Sequence, residues 1–137
     1  MNNNKAAVNM FYAKRLSEIE DCKNDDWDGN GSEAITDELI QDTLDFIVRL
    51  KLAFETHGIP FEYPYLIPGS GELGLEWSTQ GKKPERFDMN IDIGKNVRQN
   101  GVTVVAFGKD AVNSDYFAVW RYDRIPETFF EWLANNI

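Results

Sequence analysis

The stretch Asp25-Asp26-Trp27-Asp28-Gly29-Asn30-Gly31-Ser32-Glu33 decides how this chain is read. It holds the densest carboxylates and the closest glycines, and its Gly, Asp and Asn content cannot continue a helix. On its N-terminal side, from Lys5 to about Lys23, Val8, Phe11, Tyr12, Leu16, Ile19 and Cys22 fall on one helical stripe with charge opposite. Residues 1–4 ahead of that stripe are polar and are expected to be frayed and disordered. On its C-terminal side a second helix is predicted to start at Thr36. The Thr36 hydroxyl can cap free backbone donors there, and Asp37 and Glu38 suit the positive end of the helix dipole. Leu39, Ile40, Leu44, Phe46, Ile47, Val48, Leu50, Leu52 and Phe54 give this helix a wide apolar arc, so it should be the most buried one. His57-Gly58-Ile59-Pro60 ends it, with Gly58 as a left-handed cap and Pro60 blocking continuation.

Beyond residue 60 the period changes from helical to alternating. Tyr63-Pro64-Tyr65-Leu66-Ile67-Pro68 predicts a short edge strand or lead-in, because its prolines cannot donate to a ladder. Gly69-Ser70-Gly71 is a turn. Leu73, Leu75 and Trp77 alternate on the next strand, then Phe87, Met89, Ile91 and Ile93 alternate with Asp88, Asn90 and Asp92. Polar segments at 79–85, 95–101 and 109–115 separate these strands from Val102–Phe107 and Tyr116–Tyr122. Pro126 suits the first turn of a last helix that carries Phe129, Phe130, Trp132 and Leu133. The expectation is an α+β fold. Two N-terminal helices precede a four-stranded antiparallel meander, five-stranded if 63–68 joins it, with helices on one face and a short closing helix.

The 137 residues suit a single domain, 1–137, and 42 % hydrophobic residues are enough for a core without staples. A formal charge of −9 argues against direct binding to a nucleic-acid backbone and suits an acidic surface that meets a basic partner. Cys22 and His57 are the only residues of their kinds, which excludes an internal disulfide and a multi-histidine metal site. His57 is expected to serve the end of the second helix, and Cys22 to be buried. No long apolar run marks a signal peptide or membrane span, so a cytoplasmic location is expected.

The opening stretch also matches a calcium-loop pattern. Asp26, Asp28 and Asn30 stand at its first, third and fifth positions, Gly31 at the sixth and Asp37 at the twelfth, with oxygen ligands alternating as a hard cation requires. Against it, Asp37 is shorter than the usual Glu, and Glu33 stands where an apolar residue normally joins a partner loop. The alternative, which is favoured, is structural. Trp27 plugs the core between the helices and the sheet, while Asp28 and Asn30 satisfy turn amides.

Asp26-Trp27-Asp28-Gly29-Asn30-Gly31 before a helix, followed by Pro68-Gly69-Ser70-Gly71-Glu72-Leu73-Gly74-Leu75-Glu76-Trp77, resembles a widespread group of small uncharacterised bacterial proteins. These carry a Trp-Asp-Gly-aromatic-Gly-Ala segment before a helix and then a Leu-Glu-Trp hairpin. The match runs from about residue 24 to residue 93 and departs at Asn30 and Ser32. The resemblance implies a fold and no catalytic residues.

Two further groups attract a functional reading. Glu72, Glu76, Asp88 and Asp92 lie opposite the apolar face of paired strands and would form an acidic patch. Such a patch is a solvated face that resists edge aggregation, a docking surface for a basic protein, or the acid and base of a small hydrolase. Adjacent helical residues diverge by about 100°, so Phe129, Phe130 and Trp132 cannot all point inward, and an exposed aromatic such as Trp132 beside Arg121 or Arg124 would anchor an interface. A homodimer is one use for it. With no phosphate loop, nucleophile elbow or metal-histidine motif, the expected function is non-enzymatic. It is that of an acidic protein-interaction factor, an inhibitor or antitoxin-like accessory protein of bacterial or phage origin, with no cofactor. Its site residues would be Glu72, Glu76, Asp88, Asp92 and Trp132. A calcium-binding module built on residues 26–37 is the alternative, and the hydrolase is third.

Overall fold

The computed structural model describes residues 2–77, 88–108 and 115–136, and their side chains from residue 4 onward. The elements are α1 (Asn2–Glu18), a 3-10 turn (Glu20–Lys23), α2 (Asp37–Thr56), β1 (Tyr65–Gly69), β2 (Glu72–Trp77), β3 (Asp88–Gly94), α3 (Val97–Asn100), β4 (Val102–Phe107), β5 (Asp115–Trp120) and α4 (Glu127–Ala134). The strands form one five-stranded sheet in chain order, each antiparallel to the next. The α+β meander is therefore the architecture, with 65–69 as its fifth strand. The expected loop at 79–85 and most of the turn at 109–115 lie outside the described residues.

α2 is the axis of the core. The Thr36 hydroxyl accepts the Leu39 N–H at 3.1 Å, and at the far end Gly58 takes a φ of +70° and donates its N–H to the Glu55 carbonyl at 3.0 Å. Side chains from Leu39 to Phe54 are buried against the sheet. Leu73, Leu75, Met89, Ile91, Ile93 and Val104 meet them from the inner face, each at 0 % exposure. Each such burial contributes about 1.5–3 kcal/mol, and the alternation that fixes this face also fixes the strand register.

α1 begins at Asn2, not Lys5, so the helix takes in residues 2–4. It also stops at Glu18, not Lys23. There the chain tightens into the 3-10 turn, where the Cys22 N–H reaches the Ile19 carbonyl at 2.9 Å. Val8, Tyr12 and Ile19 are buried as expected, but Phe11 is 54 % exposed. One residue from Tyr12, Phe11 is rotated off the inner stripe, and it stacks on Tyr63 with ring centroids 4.2 Å apart.

The segment 95–101 is not merely a polar turn. It holds α3, whose Val97 is buried and whose Arg98 reaches the Asp42 carboxylate on α2 at 2.9–3.0 Å. Tyr122, just past β5, donates its hydroxyl to the Asp42 carbonyl at 2.8 Å. Asp42 thus joins α2, α3 and the end of the sheet.

α4 corrects a further expectation. Pro126 stands at the N-cap rather than inside the first turn, and no large aromatic of the helix is exposed. Phe129 and Phe130 are both buried and Trp132 is half-buried. Adjacent side chains can both be covered because α4 lies in a corner with walls on two sides. Phe129 meets Trp120 at 4.8 Å between ring centroids and Trp132 meets Tyr116 at 5.6 Å, while Phe130 stacks on His57 at 3.8 Å.

Candidate functional site

Among the described residues, all helices pack on the inner side of the sheet, and the outer face is open. Strand register sets its composition. Tyr65, Glu76, Asn90, Val105 and Phe117 form one cross-strand row, and Ile67, Gly74, Asp92, Thr103 and Val119 form the next. Glu72 continues the face beside Gly94, and Asp88 continues it beside Phe107. All four expected carboxylates therefore share one face. They run diagonally along β2 and β3 rather than meeting at a point. Glu72 and Asp92 are exposed, and Glu76 and Asp88 half-buried. Gly74 leaves a notch beside Asp92, because a methyl group there would touch the Asp92 carboxylate at 3.4 Å. Among the described residues no cationic side chain pairs with Glu72, Glu76 or Asp92.

Sequence patterning missed the margins of this face. Tyr65 and Phe117 are each 73 % exposed, Val119 is 64 % exposed, and Ile67 and Phe107 are also open. The acidic diagonal is therefore bounded on both sides by apolar side chains from β1, β4 and β5. The alternation of Phe117 and Val119 with Tyr116, Ala118 and Trp120 carried the signal, but both faces of β5 are apolar and the pattern alone does not say which is buried. Trp132, expected as the exposed anchor, is not part of this face. It packs against Tyr116 and Phe129 on the opposite side.

The acidic corner at 25–33 is closed on itself. Asp26, at a φ of +58°, accepts the Gly31 N–H at 2.6 Å and donates its own N–H to the Ser32 carbonyl at 2.7 Å. Asp28 accepts the Ser32 hydroxyl at 2.5 Å and the Asn30 N–H at 2.9 Å. These bonds, the hydroxyl first, hold its carboxyl below the ordinary carboxylate range. Asp37 lies elsewhere and pairs with Lys23 at 3.0 Å. Asp26, Asp28, Asn30 and Asp37 are thus not gathered around a common point, and no group of three or more His, Cys, Asp or Glu among the described residues is placed to hold a metal ion. Short acidic side chains next to glycine find the turn's own amides first.

Trp27 packs against the core but is not the fully buried plug expected of it. It is half-buried, and its indole N–H donates to the Glu33 carbonyl at 3.0 Å. The same carbonyl accepts the Gly71 N–H at 3.1 Å, and the Glu33 N–H donates to the Ser70 hydroxyl at 2.9 Å. The Glu33 carboxylate pairs with Lys95. Glu33 therefore ties the corner to the β1–β2 turn and to the segment after β3. Ile35, just beyond the corner, is fully buried.

His57 serves the end of α2 as expected and does more. Nδ1 lies 2.8 Å from the Ala53 carbonyl, and Nε2 lies 3.0 Å from the Glu127 carboxylate at the start of α4. Glu127 first, and the Ala53 carbonyl second, raise the His57 pKa above its ordinary 6.5. Cys22 is buried as expected, and burial pushes its thiol pKa up.

No family model, curated protein or solved structure matches the chain. Among the described residues no helix is long and apolar enough to cross a membrane.

Proposed function

We propose that the chain is a non-enzymatic binding protein whose outer sheet face docks on a basic protein surface. The observation that supports this is the open face itself, with Glu72, Glu76 and Asp92 unpaired between apolar margins formed by Tyr65, Ile67, Phe117 and Val119. A partner that presents Lys or Arg flanked by apolar groups would complement both features. The carboxylates would steer encounter, and the aromatics would supply buried area. The finer reading, an inhibitor or antitoxin-like accessory factor of bacterial or phage origin, adds the net charge of −9 and the motif resemblance to that surface. A small hydrolase is less well supported. None of the four carboxylates is enclosed, whereas a carboxyl held protonated for general-acid work needs an apolar pocket.

The test is affinity capture from the source cells with the immobilised chain at about 0.1 M and about 1 M salt, where screening lengths fall from about 10 Å to about 3 Å. A partner should be held at low salt and released at high salt. A Glu76→Lys/Asp92→Lys variant that still folds should capture none of it. Retention by that variant, or indifference to salt, counts against the proposal.

A further inference from the structure

A second feature lies away from the outer face, where α2 ends against α4 and the segment after β5. A groove of about 310 Å³ opens there, and Arg49, His57, Tyr122, Arg124, Glu127 and Phe130 are among its lining residues. Its lining sets two arginines against two carboxylates, so it lacks the acidic excess of the chain. Two carboxylates border it and both are engaged. Glu127 faces His57 at 3.0 Å, and Asp123 faces Arg121 at 3.2 Å. Arg49 and Arg124 are left without an acidic partner among the described residues. Nearby Asp42 and Asp45 do not serve Arg49, because they pair with Arg98 and Lys5.

Arg49 is the less ordinary of the two. Its guanidinium carbon sits 3.9 Å from the centroid of the Tyr122 ring, and its Nε and Nη2 are buried with no hydrogen-bond partner. The ring compensates part of the charge, but enclosed N–H donors left unpaired are rare in native structures and ask for an explanation. The groove is apolar along the Phe130 side and cationic at Arg49 and Arg124. Guanidinium groups bind planar or tetrahedral oxyanions through paired N–H donors.

We propose that this groove is a binding site for a small oxyanion-bearing molecule, a carboxylate or a phosphate, held between Arg49 and Arg124. The anion's apolar remainder lies along the Phe130 and Ile125 side. For Nε and Nη2 to gain the acceptors they lack, the Arg49 guanidinium would have to turn its edge toward the groove as the anion binds. The site is independent of the outer face, so either can fail without the other.

The experiment is a heteronuclear NMR titration of the full chain at constant ionic strength with inorganic phosphate in one arm, acetate in a second and chloride as the control. The Arg49 side-chain Nε–H and the backbone amides of Ala53 and Ile125 are the reporters. Saturable shifts with phosphate alone assign a phosphate ligand, and saturable shifts with acetate alone assign a carboxylate. Saturation by both supports an oxyanion site of either source. Arg49→Gln and Arg124→Gln should each weaken the saturating anion by about tenfold to a hundredfold, the range for loss of a charged hydrogen bond. Arg124 is exposed, so Arg124→Gln keeps the test decisive even if Arg49→Gln does not fold. Shifts that rise linearly and match chloride overturn the proposal, as does unchanged binding in a folded Arg124→Gln variant.

Discussion

The two edges of the sheet are finished by different means. At β1 the chain places Pro64 and Pro68, which have no N–H to offer, and α1 takes up two of the edge acceptors. The Tyr12 hydroxyl donates to the Pro64 carbonyl at 2.6 Å, and Arg15 Nε donates to the Leu66 carbonyl at 2.8 Å. At β5 a helix is also present, but it works differently. α4 covers the inner side chains Tyr116 and Trp120, and among the described residues no side chain bonds to the β5 backbone. An edge closed through its backbone cannot add a strand, whereas one closed only through its side chains keeps a template for a partner. The open edge lies in the same strand as Phe117 and Val119, so the exposed backbone and the exposed apolar margin of the outer face coincide. α1 therefore acts as a seal, and α4 as a clamp held from elsewhere.

Breaking the seal should have the largest effect. Tyr12 is 2 % exposed, and burial raises the pKa of its hydroxyl. Tyr12→Ala should cost about 3–5 kcal/mol, as for other large aromatics truncated in a core. Tyr12→Phe keeps the ring but strands the Pro64 carbonyl, and should cost about 1–3 kcal/mol. Urea unfolding followed by circular dichroism measures both. A Tyr12→Phe variant as stable as the parent would mean that the hydrogen bond does not hold the edge.

Only half of this contrast was legible in the sequence. Pro64 and Pro68 announce an edge strand, and alternation along 73–77, 89–93 and 102–107 orders the sheet, because each signal lies within a few residues. The seal does not, since Tyr12 and Pro64 are 52 residues apart and meet only through the way α1 crosses the sheet. The acidic diagonal was readable from the period-two pattern, but its apolar margins were not, because β5 is apolar on both faces. In the corner, the pattern of Asp26, Asp28 and Asn30 suggested ligands, and the structure shows the two aspartates turned onto the corner's own N–H and hydroxyl groups. Glu33 carried no periodic signal, yet it ties the corner to the β1–β2 turn and to Lys95. Spacing shows which groups are close along the chain, and it does not show which acceptor a donor will reach.

The clamp should respond to pH where the seal does not. His57 joins α2 to Glu127 of α4 and stacks on Phe130, and its pKa in the folded state is raised above the ordinary 6.5. A raised folded pKa means that the folded state holds the proton more tightly. The stabilisation is therefore complete below about pH 6.5 and is lost as the pH rises through the elevated folded value. Unfolding free energy measured from about pH 5 to about pH 9 should fall across that window. In Glu127→Gln the step should shrink, because the largest cause of the shift is gone. A step of unchanged size in that variant would place its origin outside the clamp.

The smallest expected effect on folding falls at the open edge. Phe117 projects from the outer face at 73 % exposure, and its neighbours across the strand pair give it little to pack against. Phe117→Lys should therefore change stability by no more than about 0.5 kcal/mol, a shift read in the same urea experiment that registers Tyr12→Ala as a large loss. Lysine is also a residue that natural edge strands use to discourage pairing. The same substitution should weaken capture of a basic partner, because it removes an apolar margin and adds a positive charge to the face that carries the carboxylates. If Phe117→Lys instead destabilises the fold as much as Tyr12→Phe does, β5 is packed from outside and the contrast between the two edges fails.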